Sequence, residues 1–146
     1  MSRCYIFDID GTLANASHRL HHLQKQPKDW DAFFGAQHLD EPHDHIVELA
    51  RRLEAYDCIV FCTGRPKTYL TETVAWLRRQ HFTPPLALYM RGADDRRDDD
   101  IVKSELLDRI LADGWDPIMA FEDRARVVAM WRARGIPCAQ IDDGNF

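Results

Sequence analysis

No apolar stretch in this 146-residue chain approaches the roughly 20 residues needed to cross a bilayer, so nothing in it points to a membrane. Met1-Ser2-Arg3 leads straight into an apolar run. That leaves no room for a signal peptide, and the expected location is the cytoplasm. The sequence has no G-x-x-x-x-G-K-[ST] loop to cradle a nucleotide triphosphate. Cysteine is sparse: Cys4, Cys58, Cys62 and Cys138 all fall in or beside expected strands. They are expected to be reduced core residues, not a disulfide framework or a metal knot. Positive charge is also short, with 19 Lys and Arg against 24 acids and a net charge of −5. This argues against a broad nucleic-acid-binding surface but leaves room for a small basic pocket gripping one phosphate. No repeat, low-complexity tract or linker is found.

The composition is that of a globular chain, 45% hydrophobic and 29% charged, and the length suits a single domain with a substantial core. Apolar runs at 4–9, 58–62, 86–90, 117–122 and 137–141 read as strands. Helical periodicity fills 44–56, 67–81, 100–112 and 124–134. This alternation predicts an α/β fold, a parallel sheet of about five strands with helices on both faces. Residues 14–42 break the pattern, with Trp30, Phe33 and Phe34 but no clear strand. They are expected to form a small insert after the first strand, packed near the mouth of a site.

The first strand, in "CYIFDIDGTLAN", ends on two acids, Asp8 and Asp10. A buried strand does not normally end so; solvent or a cation must make the carboxylates tolerable. In parallel α/β sheets ligands sit beyond the carboxyl ends of the strands. Other polar residues fall at the same level: Thr63-Gly64-Arg65 after the second strand, Glu122-Asp123-Arg124 at the end of the fourth, and Lys103 in the first turns of the intervening helix. A lone D-x-D carries little weight among 18 aspartates. The ordered set carries more: D-x-D-G-T, then T-G-R, then a helical lysine, then E-D.

That order resembles the haloacid dehalogenase superfamily of phosphatases over nearly the whole chain, which implies a Rossmann-like sheet. The resemblance makes Asp8 the nucleophile that forms an aspartyl-phosphate and Asp10 the general acid and base. It implies a magnesium ion held by Asp8, the backbone of Asp10 and Asp123. Thr63 would bind the phosphoryl oxygens and Lys103 would offset the negative charge. Gly11 and Gly64 would let the backbone approach the phosphate. Glu122 would support Lys103 or a water.

A narrower resemblance joins "RRDDDIVKSELL" (96–107) and "EDRARVVAMWRARGIPCAQIDDGNF" (122–146) to the phosphatase domain of bacteriophage polynucleotide kinase-phosphatase. Through it Arg19 and Arg65 would contact the substrate phosphate, and Asp99 would orient the lysine or its arginine neighbours. The expected activity is Mg²⁺-dependent removal of a terminal phosphate, foremost the 3′-phosphate of DNA or RNA ends. A separate kinase or ligase is the expected partner, since the chain lacks the kinase loop. A nucleotidase for free mononucleotides, which the acidic chain favours, and a non-catalytic module that binds phosphorylated ends stay open.

His18, His21 and His22 in "HRLHH" lack a third ligand at zinc spacing and are expected at the surface or site rim. Trp30, Phe33 and Phe34 either stack a nucleobase or anchor the insert. Trp76 and Trp131 are expected in the core, and Arg78-Arg79 on a solvated helix face.

Overall fold

A computed structural model describes residues 2–144. Met1, Asn145 and Phe146 lie outside the described residues, and with them the end of the G-x-F close. The first strand, β1 (Ser2–Phe7), buries Cys4, Ile6 and Phe7. It runs between β4 (Cys58–Pro66) and β6 (Trp115–Glu122), with β5 (Ala87–Arg91) and β7 (Cys138–Gln140) at the edges. The order is β5-β4-β1-β6-β7 and every pairing is parallel. This is the parallel α/β fold that the alternation predicts and the Rossmann-like sheet that the resemblance implies.

The helices are α1 (Trp30–Gly35), α2 (Asp44–Glu54), α3 (Leu70–Arg79), α4 (Asp99–Ala112) and α5 (Ala125–Ala133). They cover both faces, because the buried side chains divide into two cores. In one core Val102, Leu106 and Ile110 of α4 and Val127 and Trp131 of α5 pack on Ile6 and Cys62. In the other, Val47 and Ala50 of α2 and Trp76 and Leu77 of α3 pack on Phe7 and Phe61. Both tryptophans expected in the core are there, each 1% exposed. No helix among the described residues is long and apolar enough to cross a membrane.

The chain leaves β1 toward β4 on one side and returns to β6 on the other. A crevice therefore opens beyond the carboxyl end of β1, where ligands bind in such sheets. Residues 14–42 sit over this region as a 3-10 helix (Ser17–Leu23), α1 and a 3-10 turn (Gln37–Leu39) around their own small core of Ala16, Leu23, Phe33 and Phe34. The segment's ends are pinned by β2 (Ala14–Asn15) and β3 (Glu41–Pro42), paired antiparallel. Two-residue strands leave no periodicity to read. Asp29 caps α1 by accepting from the Ala32 amide at 3.0 Å.

Three local readings differ. The strand expected over 58–62 runs on to Pro66, so Thr63-Gly64-Arg65 lie within β4 and not after it. The helix expected from residue 67 begins as a 3-10 turn, Lys67–Tyr69, and becomes α-helical at Leu70. Cys58, expected in the core, is exposed because it opens β4 at the outer end of the sheet, whereas Cys4, Cys62 and Cys138 are buried.

Candidate active site

Asp8 follows the last residue of β1, its amide still donating to the Phe121 carbonyl at 3.0 Å. The carboxylate is 4% exposed and both oxygens are engaged. Lys103 Nζ donates to Oδ1 at 2.8 Å and the Thr12 hydroxyl to Oδ2 at 3.1 Å. Lys103 reaches the site because it shares the buried face of α4 with Val102, Leu106, Leu107 and Ile110. Its ammonium also donates to Glu122 Oε2 at 2.8 Å and lies 3.5 Å from Asp99. Burial alone would favour the neutral amine, but Asp8, Asp99 and Glu122 hold its pKa well above the usual lysine value.

Carboxylates outnumber that single ammonium. Oxygens of Asp8, Glu122 and Asp123 lie within 4.8 Å of one another, all buried. Burial, reinforced by Asp8, raises the carboxyl pKa of Glu122, and burial with Asp8 and Glu122 raises that of Asp123. Asp123 Oδ1 is buried without a hydrogen-bond partner. Three hard oxygen donors, one of them orphaned, fit a small divalent cation. Gly11, at φ +83, completes the wall: a Cβ there would collide with the Asp123 carboxylate. The resemblance implies a metal held by the side chains of Asp8 and Asp123 and the backbone carbonyl of Asp10. The side chains that converge are Asp8, Glu122 and Asp123, and the Asp10 side chain turns elsewhere.

Asp10 enters a second, closed network. Arg19 Nη2 donates to its Oδ1 at 2.5 Å and Arg65 Nη2 at 2.6 Å. The same guanidinium groups meet Asp40, Arg19 Nη2 at 2.5 Å and Arg65 Nη2 at 3.4 Å. Both arginines are fully buried, as is the Asp40 side chain. Two cations and two anions therefore cancel. Burial would raise the Asp10 pKa, but the charges of Arg65 and Arg19 outweigh it and hold the carboxyl well below the usual range. Arg65 Nη1 also donates to Gln37 Oε1 and, at 3.3 Å, to Thr73. Arg19 lies 4.3 Å over the Phe33 ring. The two arginines assigned by resemblance to the phosphate thus grip Asp10.

The remaining predicted residues gather around the same floor. Thr63 is 1% exposed and its hydroxyl accepts from the Arg65 amide at 3.1 Å. Gly64 packs so tightly on Asp99 that a Cβ there would strike the carboxylate. Asp99 lies 3.3 Å from Arg91 and 3.7 Å from Arg124 as well as near Lys103. Glu122 Oε1 accepts from the Asp123 amide at 3.2 Å.

Asp40, Gln37, Thr12 and Arg91 were not foreseen. Arg91 donates to the Gly64 carbonyl at 2.7 Å and to the Asp95 and Arg97 carbonyls, tying the loop after β5 to the end of β4. Asp40 carries no motif. Its one sequence signal is arithmetic: two buried arginines aimed at one aspartate need a second acid. Among the histidines, His18 Nε2 lies 2.6 Å from Asp40 Oδ1, while His21 and His22 pack on each other at 3.9 Å. Arg78 and Arg79 are exposed.

A cleft of about 180 Å³ opens above Asp8 and Asp10, with Gly64, Asp99, Arg91 and Arg124 in its lining. Such a site can align a nucleophilic carboxylate with an oxyanion group that enters from solvent.

Comparison with known proteins places this geometry. A chain of the Pnkp1/Rnl/Hen1 complex superposes with a TM-score of 0.81 and 25% identity, over 100% of this chain and 47% of that one. The class C acid phosphatase from Bacillus anthracis with tungstate bound shares the fold, with a TM-score of 0.73 at 14% identity over 99% of this chain and 68% of the other. In sequence, the "Putative bifunctional polynucleotide kinase/RNA ligase" of Autographa californica nuclear polyhedrosis virus is 26% identical over 140 residues, 92% of this chain and 18% of the relative. The chain therefore spans less than half the length of the viral protein and of the Pnkp1 complex chain. The model of the polynucleotide kinase PNKP phosphatase domain matches residues 2–146. The chain belongs to that family, a haloacid dehalogenase-type phosphatase domain and a phosphomonoesterase.

Proposed function

We propose that the chain hydrolyses the 3′-phosphate of DNA or RNA ends, with Asp8 as phosphoryl acceptor. The observation that carries this reading is Asp8 itself: a buried carboxylate held between Lys103 and Thr12 at the floor of an open cleft, beside an acid cluster short of positive charge. Lys103 and Thr12 fix its rotamer, so an oxygen faces the incoming phosphorus instead of wandering. Phosphate monoesters are among the slowest reactions to proceed unaided, so most of the acceleration must come from positioning and charge neutralisation.

Asp8, Glu122 and Asp123, with the backbone at Asp10, would hold Mg²⁺. When bound, that ion neutralises the carboxylates and the phosphate and lowers the barrier to their approach. Asp8 then attacks phosphorus, the bond to the ribose oxygen breaks, and the group becomes an aspartyl-phosphate. Asp10 handles the protons. Arg19 and Arg65 keep it ionised while the cleft is empty, and an approaching phosphate dianion raises its pKa toward the protonated form. It gives that proton to the leaving oxygen. Ionised again, it takes one from the water that cleaves the aspartyl-phosphate. Thr63, the backbone at Gly64 and Lys103 would face the phosphoryl oxygens.

Residues 14–42 act as a small cap on a single phosphatase domain, leaving the cleft open enough for a strand end. The likeness to a chain of the Pnkp1/Rnl/Hen1 complex supports a separate kinase or ligase working on the same ends.

The test compares Mg²⁺-dependent phosphate release from an oligonucleotide with a 3′-phosphate, a nucleoside 3′-monophosphate and a nucleoside 5′-monophosphate. The reading expects the oligonucleotide to be preferred and release to steepen as salt falls. Equal or better cleavage of the 5′-mononucleotide, with little salt dependence, moves the protein to free nucleotides. Tight Mg²⁺-dependent binding of a phosphorylated end without release makes it a binding module.

A further inference from the structure

The cleft above Asp8 has lining that phosphate chemistry does not use. Trp30 and Phe34 stack with centroids 5.8 Å apart and planes 25° from parallel, and Phe33 meets Trp30 edge-on at 84°. Phe33 is in turn held under the Arg19 guanidinium. Phe33 and Phe34 are buried, but Trp30 is only half-buried, and all three line the cleft. An indole braced by two buried rings and left partly open beside a reaction centre is a stacking platform that needs no ordering when its partner arrives.

The arginines in the lining divide just as clearly. Arg91 is spent on three carbonyls and on Asp99. Arg97 is clamped by Asp95 and Glu105, with bonds of 2.7 and 2.6 Å. Arg124 lies beside Asp99. Arg96 is exposed, lines the same cleft, and forms no hydrogen bond or ion pair among the described residues. Asp31 also lines the cleft, near Trp30 in the chain. A second anion on the substrate would therefore settle on Arg96 and away from α1.

We infer that this cleft seats the terminal nucleotide of a single strand, its base stacked on Trp30 and its adjoining phosphodiester paired with Arg96. The inference rests on the proposed function, since it requires the reacting phosphate at Asp8. A flat aromatic group, a monoester and a nearby diester are joined in this way at a phosphorylated nucleic-acid end, of which the proposed function takes the 3′ one. Trp30 is then a specificity residue for the base, and Arg96 tells a strand from a mononucleotide.

The experiment uses paired single-stranded 3′-phosphate oligonucleotides, DNA and RNA, that differ only in having a base or an abasic sugar at the last position. A nucleoside 3′-monophosphate and p-nitrophenyl phosphate are assayed beside them. Wild type should prefer the base-bearing end by about tenfold in kcat/KM, a stacking contribution of ordinary size. Trp30→Ala should erase that preference, chiefly through KM, and Trp30→Phe should keep part of it. Arg96→Gln should narrow the gap between oligonucleotide and mononucleotide and make the salt slope shallower by about one unit. Equal losses on base-bearing and abasic ends in Trp30→Ala, with Trp30→Phe folded and no better, would mean that the indole merely props the insert, and would overturn the inference. So would an unchanged salt slope in Arg96→Gln. Turnover of p-nitrophenyl phosphate but of no nucleotide 3′-phosphate by wild type overturns the proposed function first, a result distinguishable from loss of the base preference alone.

Discussion

Two clusters of buried charge stand side by side at the end of β1, and they are built on opposite principles. Around Asp10 the charges balance, with Arg19 and Arg65 between Asp10 and Asp40 and the side chains of both arginines and of Asp40 fully buried. Around Asp8 they do not: Asp8, Glu122 and Asp123 converge beside one ammonium, Lys103, while Asp99 is shared among Lys103, Arg91 and Arg124. Buried ions are tolerated when paired and costly when not. The first cluster is thus a finished structure that orients one carboxylate. The second carries a surplus of buried carboxylates, which a divalent cation would offset under the proposed function.

Four changes test the contrast, in order of expected size. Asp8→Asn keeps the shape of the acceptor and removes its charge and nucleophilicity; phosphate release should fall by about a thousandfold or more while the melting temperature stays near that of wild type. Asp40→Ala breaks the balanced cluster and strands two guanidinium groups. It should cost about 3–5 kcal/mol of stability by denaturant titration, and Asp40→Asn should cost less while still slowing turnover through a displaced Asp10. In the overcharged cluster the sign reverses. Asp123→Asn, measured in EDTA, should raise stability by about 1 kcal/mol because a buried carboxyl that must take up a proton on folding is removed, and should abolish the rise in melting temperature that Mg²⁺ is expected to give wild type. A destabilised Asp123→Asn in EDTA would erase the distinction between the clusters.

The smallest effect is a pH slope. Glu122 and Asp123 have carboxyl pKa values raised by burial and by their acidic neighbours, so the folded, metal-free protein binds protons that the unfolded chain releases. Its stability should fall as pH rises from about 5 toward 7. Asp10, whose pKa is lowered by Arg65 and Arg19, works oppositely: its contribution is present above the ordinary carboxylate range and fades in acid. Melting curves in EDTA across that range, with Asp123→Asn beside wild type, separate the two, since the variant should show the shallower slope.

The overcharged cluster is the part the sequence announces. Asp8 sits where an apolar strand stops, Lys103 on a helix with a regular apolar face, and Glu122-Asp123 at the end of another strand, so each position follows from a local pattern and the topology brings them together. The sheet was legible for the same reason. Asp40 and Gln37 were not. They lie in an insert whose pinning strands are two residues long and whose turns are 3-10, so no period marks which side chains point inward. The arginines were found but their aim was not: whether a guanidinium faces substrate or a neighbouring carboxylate depends on three-dimensional charge balance, which Asp40 decides. Glu122 likewise joins the acid cluster through proximity to Asp8 and Asp123, which spacing alone does not fix.

The most direct test of the account is to look for the phosphoryl group on the protein. An Asp10→Asn variant, which should accept phosphate from a phenolate leaving group that needs no proton but release it slowly, is mixed with Mg²⁺ and p-nitrophenyl phosphate carrying a labelled phosphoryl group, quenched in acid and mapped by peptide mass spectrometry. The account predicts label on the peptide containing Asp8, lost on treatment with hydroxylamine and absent when Mg²⁺ is withheld or Asp8 is also changed to Asn. Phosphate release without any labelled protein, or label on a peptide lacking Asp8, would contradict it.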